Sequence, residues 1–208
     1  MKLYVSPFAP NPRRVTMFMA EKGITGIELV TVDLMKDEHR APEYLAKNPL
    51  GLVPALELDD GRVLSETRAI CTYLEGLNPE PNLMGKDFEE RAFIEMADRR
   101  AELQLFRGIA DWVRHTHPAL ATLEKPQFAE FGAAQAGKAR EKARWFDELL
   151  GRQEYVAGDR FTIADITLYC GLEFARALVK FKPDEEGLKH VQAWRDRIHA
   201  RPSAAASK

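Results

Sequence analysis

Pro54-Ala55-Leu56-Glu57-Leu58-Asp59-Asp60-Gly61-Arg62-Val63-Leu64 is the stretch on which the fold turns. Two short apolar runs flank Asp59-Asp60-Gly61, the residues of a tight hairpin. The pattern predicts a third strand over Pro54–Leu58 and a fourth over Arg62–Leu64. Upstream, residues 2–6 read as a short strand, and Ile27-Glu28-Leu29-Val30-Thr31-Val32 as a second, rich in β-branched residues. Between them Asn11-Pro12 predicts a helix start, with Asn11 as the cap, Pro12 at the first helical position and Gly23 as the stop. A short helix is expected near Glu43–Lys47, turn chemistry at Asn48-Pro49-Leu50-Gly51, and a further helix from Glu66 to Leu77. The order β-α-β-α-β-β-α combines a parallel, right-handed βαβ unit with an antiparallel pair. The simplest solution is a small mixed sheet with helices on its faces.

Asn78-Pro79-Glu80-Pro81-Asn82 has the composition of a linker, and beyond it the pattern is wholly helical. Phe88, Ala92, Phe93, Met96, Leu103, Phe106, Ile109 and Val113 recur near the helical period up to Pro118. A second helix is expected over residues 126–150. A central, buried one follows Thr162-Ile163-Ala164-Asp165, a capping-box variant with Asp in the usual Glu place. A last helix is expected over 186–200, with a frayed tail from Ser203. The expected division is therefore an α/β domain over 1–77, a linker over 78–86 and an all-α domain over 87–208.

Composition narrows the function. The 208 residues are 45% hydrophobic and 30% charged, with a formal charge of -2. No basic excess exists to hold a nucleic-acid backbone, and no apolar run approaches the roughly 20 residues of a membrane span. The opening Met1–Pro7 carries no apolar signal-peptide core, so a cytosolic address is the expectation. Cys71 and Cys170 form no CxxC and read as buried reduced thiols. The five histidines show no metal-ligand spacing, so no metal is expected.

Four segments carry a resemblance: Ser6-Pro7-Phe8-Ala9-Pro10-Asn11-Pro12-Arg13-Arg14-Val15, Asn48 to Leu56, Leu64-Ser65-Glu66-Thr67-Arg68-Ala69-Ile70, and Tyr155 to Asp165. In this order and spacing they resemble the soluble glutathione transferase family over nearly the whole chain. The resemblance implies a thioredoxin-like first domain that binds glutathione and an all-helical second domain that supplies most of the co-substrate pocket. It also implies a cytoplasmic homodimer acting in detoxification. Glutathione enters as co-substrate, and the partner is a small hydrophobic electrophile.

The resemblance assigns roles to residues. A cis Val53–Pro54 bond would turn the Val53 backbone toward the cysteinyl unit of glutathione. Glu66 and Thr67, at a helix start, would receive the γ-glutamyl α-carboxylate, which a helix N-terminus favours. His39 or Arg40 would meet the glycyl carboxylate, because Leu52 stands where the family often has a polar side chain. A free thiol is only a few per cent ionised near neutrality and needs help to become the nucleophile. Ser-type branches place a hydroxyl at the position of Ala9, which has no donor. This resembles the atypical branch with Gly or Ala there. Three alternatives remain open for the sulfur: Asn11 with the helix N–H groups, a water held by His115 as proton acceptor, or Ser6. Phe8, Phe106 and Trp112 are expected to line an apolar co-substrate pocket. Glutathione-dependent disulfide or peroxide reduction, and a non-catalytic binding module of the same fold, stand as alternative functions.

Overall fold

The computed structural model describes residues 1–206. Four short strands form one mixed sheet: β1 (Lys2–Val5), β2 (Glu28–Thr31), β3 (Ala55–Glu57) and β4 (Val63–Ser65). Their order is β2-β1-β3-β4. β1 and β2 run parallel with Leu3 opposite Leu29, and β3 lies antiparallel to β1 with Leu56 opposite Leu3. β4 returns beside β3 with Leu64 opposite Leu56. The hairpin closes as its turn chemistry demands. The Leu58 N–H donates to the Arg62 carbonyl at 2.8 Å, and Gly61 takes φ +83°.

Helix α1 (Pro10–Glu21) follows β1, α2 (Pro42–Leu45) follows two 3₁₀ turns after β2, and α3 (Thr67–Leu77) follows β4. Tyr4, Val32, Tyr44 and Ala55 form a buried cluster, with Val30, Val53 and Val63 packed against it. Leu3, Met17, Phe18, Leu56, Ile70 and Leu74 are also fully enclosed. The start of α1 differs from the sequence expectation. The cap is Ala9, which offers no side chain, and the helix begins at Pro10 rather than Pro12. Both prolines fit, because the first N–H groups of a helix have no intrahelical partner to lose.

The chain divides into two compact units: residues 1–81 joined by the segment from Pro202, and Asn82–Arg201. Up to residue 206 the tail expected to fray is instead a short helix, α9 (Pro202–Ala206), that packs against α1; residues 207–208 lie outside the described residues. Ser203 and Ala204 are buried, and Arg13 donates to the Ala204 carbonyl at 3.3 Å. Fraying is a local expectation, and this long-range contact overrides it.

The second unit is built of helices and their connecting loops, with one isolated β-bridge between Tyr155 and Gly158. It contains α4 (Phe88–Arg100), a π-helical segment (Ala101–Phe106), α5 (Arg107–Thr116), α6 (Ala129–Leu150), α7 (Ile163–Val179) and α8 (Lys189–His199). The first ten residues of α7 are buried without a break, as expected of a central helix. The capping box at its start is present, with Thr162 and Asp165 bonded reciprocally to each other's backbone N–H region.

Candidate functional site

Strand register gathers the candidate residues. Tyr4 pairs with Ala55, and Ala55 with Ser65. The carboxyl end of β1, the amino end of β3 and the carboxyl end of β4 therefore lie side by side at one sheet edge. β2 ends at the same edge, since Val5 faces Thr31 in the parallel pair. Four connections leave from there: Ser6–Ala9 into α1, Val32–Ala41 toward α2, Val53–Pro54 into β3, and Glu66 into α3. An open sheet binds ligands at such an edge, where loops and helix N-termini converge.

The Val53–Pro54 bond is cis. The Val53 backbone N–H and C=O have no hydrogen-bond partner among the described residues. The carbonyl just before them is clamped. Leu52 accepts from the Tyr44 hydroxyl at 2.6 Å and from the Asn48 amide at 2.8 Å. Burial pushes the Tyr44 hydroxyl up to about 12, so it remains a donor throughout the physiological range. Gly51 sits at φ +60°, and a Cβ there would stand 3.0 Å from the His39 carbonyl oxygen. Glycine is thus required both for the turn and for the close approach of the preceding loop. Sequence reasoning missed Tyr44 and Asn48, although Asn48 lay within a quoted turn signal. Leu52 drew attention for its side chain, which is half exposed; its carbonyl is the fixed element.

Glu66 caps α3 in a strained conformation, φ +67° and ψ +118°, and makes no side-chain capping bond. Its carboxylate therefore does not cap the helix. Thr67 is buried, and its N–H and hydroxyl have no partner among the described residues. The first turn of α3 carries no acidic residue to occupy its positive end.

At the start of α1 the Ala9 N–H donates to the Ser6 carbonyl at 3.2 Å, closing a turn with Pro7 and Phe8 at its centre. Phe8 has φ +63° and is 96% exposed. Asn11 is exposed in the first turn of α1, and its Oδ1 accepts from the Arg14 guanidinium at 3.3 Å. Ser6 is buried. Of the two cationic candidates, His39 is buried, whereas Arg40 is exposed and pairs with Asp37 at 3.5 Å.

Three further expectations, on Phe106, Trp112 and His115 of the second unit, also need correction. Phe106 is 5% exposed, and its ring lies against Gly171, where an added Cβ would meet it at 3.1 Å. Trp112 is 8% exposed, edge-on to Phe181 at 6.2 Å and capped by the Arg140 guanidinium at 4.7 Å. Both are core residues of the helical unit, since an apolar helix stripe has the same sequence pattern whether it lines a pocket or fills a core. His115 Nδ1 accepts the Phe128 N–H at 3.1 Å, and its ring packs edge-on to Phe131. A neutral imidazole has one acceptor nitrogen. With that nitrogen engaged, His115 presents only a donor, Nε2–H, 3.8 Å from Glu124. It is not the proton acceptor expected.

Among known families, residues 6–77 match the glutathione S-transferase N-terminal domain and residues 106–202 the glutathione S-transferase C-terminal domain. Glutathione S-transferase 2 of Saccharomyces cerevisiae is 42% identical over 205 residues, 98% of this chain and 87% of that protein. The chain belongs to the glutathione S-transferase family. GstA of Escherichia coli O157:H7, another glutathione S-transferase, is 32% identical over 97% of this chain and 94% of its own length. Among solved structures, Gtt2 from Saccharomyces cerevisiae superposes with a TM-score of 0.93 at 39% identity, covering 100% of both chains. A glutathione S-transferase domain-containing protein from Marinobacter aquaeolei VT8 gives 0.92 at 42%, covering 98% and 99%. The first unit of this glutathione S-transferase family member is accordingly thioredoxin-like, and the second is the family's helical domain. Among the described residues no group of His, Cys, Asp and Glu is placed to hold a metal, and no helix is long and apolar enough to cross a membrane.

Proposed function

We propose that the protein transfers glutathione to small hydrophobic electrophiles, and that the sheet edge of the first unit is where the tripeptide docks. The observation that carries this reading is the coincidence there of two unpaired backbone and side-chain groups: Val53 beside the cis Pro54, and Thr67 at the positive end of α3. Val53 supplies one donor and one acceptor to the cysteinyl unit. Thr67 and the α3 N-terminus receive the γ-glutamyl carboxylate, with Glu66 beside its amine. Exposed Arg40 is better placed than buried His39 to meet the glycyl carboxylate from solvent. Phe8 offers an apolar surface next to the thiol.

The finer branch is the atypical one. Ala9 caps α1 through its backbone alone and cannot activate the thiol; Pro10 and Pro12 have no N–H, so the Asn11 backbone N–H and its exposed side-chain amide take that part. His115, as a donor only, can hold a water but not deprotonate it; buried Ser6 is the weaker alternative. A cytoplasmic homodimer acting in detoxification, as the family resemblance implies, completes the reading. Exposed Phe93, Met96 and Trp145, around a groove of about 150 Å³ on the helical unit, are consistent with a second copy covering that face. The second reading is glutathione-dependent disulfide or peroxide reduction, favoured by Asn11 and by the burial of both Cys71 and Cys170, which leaves the glutathione sulfur as the accessible thiol.

Calorimetric titration with glutathione, followed by turnover on halogenated aromatic, epoxide, disulfide and peroxide substrates, tests the proposal. Binding with conjugating turnover supports it, and binding with turnover only on disulfides or peroxides favours the second reading. Binding without any turnover points to a non-catalytic module, and no heat at millimolar ligand removes the docking edge.

A further inference from the structure

The geometry points to Arg14 as a positioning residue that sets which end of the Asn11 amide faces the glutathione sulfur. This inference rests on the reading that the tripeptide places its thiol at the start of α1. Arg14 lies one helical turn beyond Asn11 and is 2% exposed, so its guanidinium is held inside the first unit rather than sweeping through solvent. Its Nη1 donates to Asn11 Oδ1 at 3.3 Å.

The chemistry of that bond has a direction. A guanidinium has donors and no acceptor, and it stays protonated at every accessible pH. An amide has one accepting end and one donating end. Facing Arg14, Asn11 must therefore turn its oxygen inward, and its NH₂ group points away. That group has no partner among the described residues, and the side chain is exposed in the first turn of α1. A freely rotating amide at this place would present oxygen to an incoming sulfur in part of its population. Oxygen repels a thiolate and favours the protonated thiol. The inward-locked oxygen removes that population, so the thiolate meets a side-chain donor together with the Asn11 backbone N–H, the first-turn N–H that Pro10 and Pro12 leave. Arg14 touches neither substrate nor sulfur in this scheme; it acts through Asn11.

The discriminating variant is Arg14→Gln. Glutamine both donates and accepts, so it can bond to either end of the Asn11 amide and the direction is lost. Arg14→Lys keeps a donor-only partner. The pKa of bound glutathione, read from ultraviolet thiolate absorbance, is expected to rise by about one unit in Asn11→Ala, where the donor is gone. Arg14→Gln should rise part of the way, and Arg14→Lys should stay nearer the parent. In the double variant Arg14→Gln/Asn11→Ala the shift should equal that of Asn11→Ala alone. S-methylglutathione, which has no thiol, should bind all variants with similar affinity.

A merely structural Arg14 would instead lower S-methylglutathione affinity or thermal stability while leaving the bound thiol pKa unmoved, and that result overturns the inference. So does an additive double variant. If the Arg14 variants do not fold, Asn11→Asp decides with the guanidinium intact. The aspartate keeps the bond to Arg14 but has no donor, and it should raise the thiol pKa at least as far as Asn11→Ala. An unchanged pKa in Asn11→Asp with S-methylglutathione still bound sinks the inference alone. Failure of the parent protein to bind S-methylglutathione sinks the docking reading beneath it.

Discussion

Glu66 shows what a single residue contributes. Among the described residues four non-glycine ones have positive φ: Phe8, Asp37, Glu66 and Lys180. The first three lie on connections leaving the same sheet edge. Each such residue costs on the order of 1–3 kcal/mol, and such costs gather where backbone must be aimed at a ligand. Glu66→Gly relieves the strain, so its denaturation midpoint should equal or exceed that of the parent while glutathione affinity falls with the lost carboxylate. A fall in stability would place Glu66 among the structural supports instead. Thr67→Ala removes one hydrogen-bonding group from the α3 N-terminus. It should weaken glutathione binding roughly tenfold by calorimetry, the scale of one such bond. At this scale the sequence marks candidate side chains more readily than backbone contacts. Val53, Pro54, Glu66 and Thr67 are recognisable by order and spacing. The Tyr44 and Asn48 clamps on the Leu52 carbonyl are not, because a backbone acceptor leaves no mark on residue identity. The start of α1 was ambiguous for a different reason: two prolines two residues apart both satisfy the rules for a first turn.

Elements obey longer rules. The hairpin at Asp60-Gly61 was legible because its turn chemistry is local, and the α7 capping box because both partners lie within four residues. The π-helical segment was not legible, since a one-residue register change barely disturbs an apolar stripe. Its last residue, Phe106, presses on Gly171 of α7. Gly171→Ala places a methyl group 3.1–3.2 Å from that buried ring and should cost about 1–3 kcal/mol in chemical denaturation. An unchanged midpoint would mean that the ring yields freely. Asp165 makes a second element-scale prediction. Its carboxylate accepts from the Val156 and Thr162 N–H groups and the Trp194 indole, each at 2.9 Å. Desolvation in the core nevertheless outweighs these donors and raises it to about 6. The folded state therefore holds the proton where the unfolded chain has released it. The stability Asp165 gains by protonation is full below about pH 4 and is lost as pH rises toward 6, by roughly 2–3 kcal/mol in all. The stability difference between the parent and Asp165→Asn should fall across that window and level off above it. A difference that rises with pH would mean that the donors win.

For the whole molecule, composition and periodicity were enough to separate an α/β part from a helical part, since the change of pattern at Asn78–Asn82 is abrupt. They were not enough to say where the segment from Pro202 belongs, because nothing in Pro202–Ala206 itself names α1 as its neighbour. Deleting residues 202–208 strips α1 of the buried Ser203 and Ala204 and of the bond from Arg13 to the Ala204 carbonyl. The deletion should lower the stability of the first unit by about 1–2 kcal/mol. Amide exchange should quicken in α1 before it does in α7. Uniform exchange across both helices would argue against a local role for α9.

That returning segment also orders events during synthesis. Domains usually fold as they leave the ribosome, the amino-terminal one first. Here the first unit is made of segments on both sides of the second unit in the chain, so it cannot finish packing until all of Asn82–Arg201 has been translated. The nascent sheet must wait with one flank of α1 bare, a time in which a chaperone has something to hold.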